Sequence, residues 1–244
     1  MKKIIILLIA NFLILFPEYF NFIVIGDSRP PIGDSSFKNF DFEISRMNEY
    51  APDFIINLGD LIFGYGELNP EKYWNIYLSA VSNIKVKYYQ VPGNHDLFSK
   101  RGENIYLNEF KKLYYSYNYK NSHFIILNSS ENGIWGKIGK AQFEWFSNDI
   151  AQANKENIFI FVHFPLWNKK YSRTKKTYND FWMKEIHPLL VKYEVKAVFG
   201  AHMHSYGPTE KIDGISYFIT GEGGAELIKW YKDHGGTHHF MYIT

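Results

Sequence analysis

The stretch Tyr88-Tyr89-Gln90-Val91-Pro92-Gly93-Asn94-His95-Asp96 is where the sequence declares its fold. A short β-prone run stops at a Pro-Gly turn, and the turn delivers an amide, an imidazole and a carboxylate in consecutive positions. The same pattern recurs along the chain. Phe22-Ile23-Val24-Ile25 runs into Gly26-Asp27-Ser28-Arg29, and Phe54-Ile55-Ile56-Asn57-Leu58 into Gly59-Asp60. The run 158–162 meets His163-Phe164-Pro165, and Ala197-Val198-Phe199 meets Gly200-Ala201-His202-Met203-His204. Continuous apolar runs of this length suit strands buried on both faces. Helical patterns fill the gaps, over 37–49, 70–82, 103–113, 140–154 and 178–192. Strand–helix alternation of this kind predicts parallel pairing with crossover helices. Two regions depart from it: 124–128 follows 119–122 with no helix between, and 215–220 and 240–243 read as antiparallel β. A pair of sheets flanked by helices accommodates both patterns, which makes the fold class α/β.

A length of 244 residues supports one domain with a sizeable core. Apolar residues at 46% and aromatics at 19% describe a packed globular protein, and a formal charge of +2 selects no polyanionic partner. Cysteine is absent, which removes disulfides, thiolate metal sites and cysteine nucleophiles together. Any metal chemistry must use imidazole, carboxylate and amide ligands. Lys2 and Lys3 precede an apolar run over 4–16, broken only by Asn11, which is the pattern of a secretory signal peptide. The run is shorter than the roughly 20 residues that span a bilayer. Pro17-Glu18-Tyr19-Phe20 offers no small-residue cleavage site. Residues 1–20 are therefore expected to be a signal peptide or a retained membrane anchor, and 21–244 the globular domain. The expected location is extracellular, cell-surface or periplasmic, and a buried N-terminal element is the competing reading.

Polar residues at the carboxyl ends of α/β strands share one edge of the sheet, where ligands bind. Here that edge collects Asp27, Asp60, Asn94, His95, Asp96, His163, His202 and His204. Each alone has a structural explanation, such as an Asx-turn or a hydrogen-bonded core histidine. Five successive strands ending in oxygen or imidazole donors do not share one. The donor types suit manganese, iron or zinc. Paired ions can clamp both oxygens of an in-line displacement, and an ion lowers the pKa of water enough that no protein nucleophile is needed.

The blocks GDSR, GDL, GNHD, VHFP and AHMH, in that order, resemble the five-block signature of calcineurin-like metallophosphoesterases, and the later ITGEGGAEL segment (219–227) resembles the Gly-rich stretch that follows. The resemblance implies a four-layer fold, two mixed β-sheets packed as a sandwich and flanked by helices, and two divalent metal ions. It casts Asp60 as the bridging carboxylate, Asp27 and His204 as ligands of the first ion, and Asn94, His163 and His202 as ligands of the second. His95 resembles the histidine that protonates the leaving oxygen or stabilises charge on the phosphoryl group. Asp96 is expected to hydrogen-bond His95 and raise its pKa.

One block departs from the common D-x-H form, because Arg29 stands at its third position. Arginine has no acceptor and cannot ligate a cation. The first ion then keeps Asp27, Asp60 and His204 at lower affinity, or a neighbouring oxygen such as Tyr65 substitutes, or Arg29 clamps the substrate phosphate. In the purple acid phosphatase branch a tyrosine ligand sits where this chain has Phe63. The expected substrate is a small-molecule phosphomonoester or phosphodiester, handled by a monomer. The alternatives are a nuclease and a non-catalytic metal-binding surface protein. Nearly balanced charge argues against nucleic acid. The one basic stretch, 168–177 with Lys169, Lys170, Arg173, Lys175 and Lys176, reads as a solvated loop or a phosphate-steering lid. Phe98, Trp135, Trp167 and Tyr206 are aromatic neighbours that either pack or stack a base.

Overall fold

The computed structural model describes residues 19–32, 34, 36–65, 69–207, 209–227 and 236–244. The expected leader thus lies, over 1–18, outside the described residues. Among those described, no helix is long and apolar enough to cross a membrane.

The chain begins with β1 (Phe22–Ile25), α1 (Lys38–Tyr50), β2 (Phe54–Asn57), α2 (Pro70–Val81), β3 (Lys87–Gln90) and α3 (Lys100–Phe110). A hairpin of β4 (Tyr115–Tyr119) and β5 (Ser122–Leu127) follows, then α4 (Lys140–Gln152) and β6 (Asn157–Val162). Next come α5 (Lys169–Ser172), α6 (Lys176–Phe181), α7 (His187–Lys192) and β7 (Ala197–Gly200). The last strands are β8 (Glu210–Ile212), β9 (Ile215–Ile219) and β10 (Met241–Ile243). They form two mixed sheets, ordered β10-β1-β2-β3 and β4-β5-β6-β7-β9-β8. The interior pairs are parallel, with Phe22 opposite Phe54 and Ile25 opposite Asn57, while β10 and the β4 and β8 edges run antiparallel.

Alternation along the strands explains the layering, because successive side chains leave opposite faces. Phe22, Val24, Phe54 and Ile56 meet Phe124, Ile126, Phe161 and Phe199 between the sheets. The intervening Ile23, Ile25 and Ile55 pack under α1 and α2, with Phe40, Trp74 and Tyr77. On the far side Ile125, Leu127, Ile160 and Val162 pack under α4 and the α6–α7 region, with Phe146, Trp182 and Leu190. The order helix, sheet, sheet, helix is the four-layer arrangement expected above.

Three expectations need correction. The segment 215–220 was expected to pair antiparallel, yet β9 runs parallel to β7 and antiparallel only to β8. The turn between β8 and β9 is Asp213-Gly214, both with positive φ, the tight hairpin turn that Asp-Gly favours. Helix α3 starts ahead of 103 because the Ser99 hydroxyl caps the Gly102 amide at 3.0 Å. The predicted helix 178–192 is divided by a π turn over Trp182–Ile186, just before Pro188, which has no amide proton for the helical ladder.

Phe124 lies at the centre of the sandwich, its ring 5.2 Å from Phe54, 5.0 Å from Tyr117 and 5.3 Å from Phe159. Phe124→Ala is expected to cost about 3–5 kcal/mol of stability, read from guanidinium unfolding curves.

Candidate metal centre

The turns that leave β1, β2, β3, β6 and β7 open on one edge of the sandwich, so the two sheets contribute to one cluster. The backbone takes unusual conformations there. Asp27, Asp60 and His202 all have left-handed φ, at 51°, 53° and 69°. Such conformations cost free energy in a non-glycine residue and persist only where surrounding contacts enforce them. Gly93 meets that need at one point, since a Cβ there would strike the Asp60 amide and carboxylate. A Cβ on Gly221 would likewise strike the Asp27 carboxylate, so the 219–227 segment passes directly against the cluster.

The second position is built around His163. Its Nδ1 lies 2.9 Å from the Leu58 carbonyl, which only accepts, so Nδ1 carries the proton and Nε2 presents a lone pair. That lone pair faces Asn94 Oδ1 at 3.0 Å and Asp60 Oδ1 at 3.4 Å. Burial pushes the His163 pKa down, so a second proton is disfavoured. Acceptors then face acceptors, an arrangement that a cation resolves. His202 adds to it: its pKa is lowered by burial and by His163, and both its ring nitrogens are buried without a partner. Ligand atoms of Asp60, His163 and His202 all lie within 4.8 Å of one another. The donor set fits a divalent ion.

Asp27, Asp60 and His204 meet the same test at the first position. Asp27 Oδ2 accepts the His202 amide at 2.7 Å, while Oδ1 is buried, without a partner, 3.5 Å from His204 Nε2. Burial and the nearby Asp60 charge hold the Asp27 pKa well above the usual carboxylate range. His204 donates from Nδ1 to the Glu226 carbonyl at 2.9 Å, and burial together with Arg29 lowers its pKa to about 4. The Arg29 guanidinium stands at the edge of this group, its Nη2 3.4 Å from His204 Nε2.

The expected bond between Asp96 and His95 is not made. Asp96 is fully buried, and its oxygens accept the main-chain amides of Gly93 at 2.8 Å, Leu61 at 2.8 Å and Ile62 at 3.2 Å. It ties the Asn94 turn to the Asp60 turn. Burial and Asp60 raise its pKa to about 7 against the pull of those amides. The His95 ring instead lies beside Tyr65 and Phe63, with centroids 4.7 and 5.3 Å away, and its Nε2 is 3.7 Å from Asp60 Oδ2. Tyr65 packs on Phe98 at 4.1 Å, and Phe63 lies under Arg29 at 5.2 Å.

A cavity of about 370 Å³ opens over the cluster, lined by Arg29, Asp60, Asn94, His95, Trp135, Arg173, His202, His204, Glu226 and Leu227. Of the four aromatic residues singled out in the sequence, Trp135 alone lines this cavity; Trp167 is buried in the core among Trp182 and Tyr217. The basic stretch forms α5 and the start of α6, and only Arg173 from it lines the cavity, while Lys169 pairs with Asp180 at 3.1 Å. Sequence reasoning missed Glu226. Its segment stands out in the sequence for its glycines, and a lone glutamate beside them carries no signal of a partner 197 residues away.

Comparison with known proteins gives the family and the fold. The model of the calcineurin-like phosphoesterase family matches residues 20–206. The chain is 22% identical to human tartrate-resistant acid phosphatase type 5 over 74% of its own length and 64% of the relative's. It is 28% identical to purple acid phosphatase 13 of Arabidopsis thaliana, over 68% of this chain and 28% of that one. The chain therefore spans less than two thirds of the curated relatives it matches. Among solved structures, a purple acid phosphatase from yellow lupin (Lupinus luteus) seeds superposes with a TM-score of 0.67 at 18% identity, covering 85% of this chain and 45% of that chain. GAP50, the anchor in the inner membrane complex of Plasmodium, gives 0.67 at 16% identity over 91% and 80% of the two chains.

Asp96→Asn tests the structural role found for that residue. An amide nitrogen cannot accept, so one main-chain amide would face a donor, at a cost of about 1–3 kcal/mol measured by thermal unfolding. Unchanged stability would contradict the three-amide arrangement.

Proposed function

The chain belongs to the calcineurin-like phosphoesterase family, and on that premise we propose that it hydrolyses small-molecule phosphate esters at its metal centre. The observation that carries this reading is the second position, where the His163 lone pair meets Asn94 and Asp60 oxygens with no proton between them. When bound, a divalent ion supplies the Lewis acidity and the activated water that no side chain here provides. Asp60, Asn94, His163 and His202 would hold it; Asp27, Asp60 and His204 form the weaker first position of the pair that the family resemblance implies. The identity of the ions, among manganese, iron and zinc, follows availability as much as ligand type.

The remaining residues handle the ester. Arg29 and Arg173 both line the cavity, and guanidinium groups suit phosphoryl oxygens. His95 lies over the same space and would hydrogen-bond the phosphoryl group or pass a proton to the departing oxygen. Burial lowers its pKa, and an arriving phosphate dianion would raise it again. The relatives named as acid phosphatases favour a monoester over a diester. Only one residue of the basic stretch reaches the cavity, which argues against a nucleic-acid groove. The Lys2-Lys3 leader pattern supports export, with the activity outside the cytoplasm, attached to the membrane or released.

Turnover of p-nitrophenyl phosphate is expected to depend on manganese, iron or zinc, to vanish with chelator and to exceed turnover of the bis ester. A folded, metal-loaded chain that turns over neither substrate would leave a metal-binding surface protein in its place. His95→Ala is expected to keep the metal content and lower kcat about 10²–10⁴-fold, as loss of a positioned acid does.

A further inference from the structure

Arg29 is held more firmly than a mobile phosphate clamp requires. Its side chain is 4% exposed, and Nη1 donates to the Pro30 carbonyl and to Glu226 Oε2, each at 2.9 Å. The guanidinium carbon sits over the Phe63 ring at 5.2 Å. The other terminal nitrogen, Nη2, meets His204 Nε2 at 3.4 Å. Glu226 grips both partners of that contact, since its carboxylate takes Arg29 and its carbonyl takes His204 Nδ1. With the Nδ1 proton given to a carbonyl, the His204 Nε2 lone pair is left for the arginine.

That lone pair is one of the donors an ion at the first position needs. An ion would sit roughly 2.0–2.2 Å from it. It would then lie within about 6 Å of Nη2, against a cation that cannot lose its proton. We propose that the Arg29 guanidinium is the resident cation of the first position: the chain holds one tight divalent ion, at the second position, and Glu226 is the positioning residue that keeps Arg29 there. This rests on the metal-dependent reading above and deepens it. The fixed guanidinium lies beside the Asp27–His204 pair, where it offsets the buried carboxylates. Its Nε is buried and has no partner.

Metal content decides the matter independently of turnover. The full chain is loaded with manganese or zinc, desalted, and its metal counted by plasma mass spectrometry, with dissociation constants from calorimetry. Wild type is expected to retain one equivalent, and Arg29→His two. Arg29→Ala, which adds no ligand, is expected to bind the second equivalent at least tenfold more tightly than wild type. Glu226→Gln, which keeps the carbonyl to His204, is expected to tighten it at least tenfold as well. Two tight equivalents in wild type overturn the proposal, as does a folded Arg29→His chain that still binds one. Tightening in Arg29→Ala without tightening in Glu226→Gln overturns the role of Glu226. A chain with one ion and no turnover sinks the hydrolytic reading alone, whereas turnover with two tight ions sinks this inference alone.

Discussion

A buried carboxylate at the seam of two sheets, Asp60, is the constraint on which the rest of the structure depends. It is 1% exposed, and an ion so placed is costly unless oriented groups and opposite charge surround it. The His95 amide bonds one oxygen, and His163 and His95 stand 3.4 and 3.7 Å from the two. Those neighbours come from the ends of β3 and β6, which belong to different sheets. The aromatic layer between the sheets therefore serves the site as well as stability. It fixes the separation at which imidazoles from one sheet reach a carboxylate from the other.

The turns around Asp60 are braced by the main chain. Asp96 takes amides from both the Gly93 and the Leu61–Ile62 turns, so the Asn94 and Asp60 side chains are presented as one rigid unit. The left-handed φ of Asp60 is strain that this bracing sustains, while the Asp27 amide bonds the Gly59 carbonyl and the His202 amide the Asp27 carboxylate. Pre-positioned donors lose little entropy when a cation arrives, and burial keeps His163, His202 and His204 neutral, with lone pairs ready.

The two halves of the centre are chemically unequal. The second position gathers acceptors that lack a proton, whereas the first already has a positive charge at its margin, on Arg29. The Arg29–Glu226 pair holds a permanent charge at that margin, because a guanidinium carries charge and donors but does not change its protonation.

Much of this was legible in the chain itself. Each apolar run ends in a turn with a polar residue, and order along the chain is a local property, so the strands, most helices and the residues from Asp27 to His204 that the fold gathers into one cluster could be read directly. The consequence of Arg29 for ligation was readable too, because a guanidinium never accepts. Three things waited for the tertiary structure. The direction of β9 depends on which neighbour it joins, and alternating apolar residues fit either pairing. The partner of Asp96 depends on three amides from two turns that approach only after β2 and β3 align. The grip of Glu226 on Arg29 joins residues 197 apart, and its carbonyl holds His204 from 22 residues away. Local propensity reports what a residue offers, and only the folded chain decides what stands close enough to accept it.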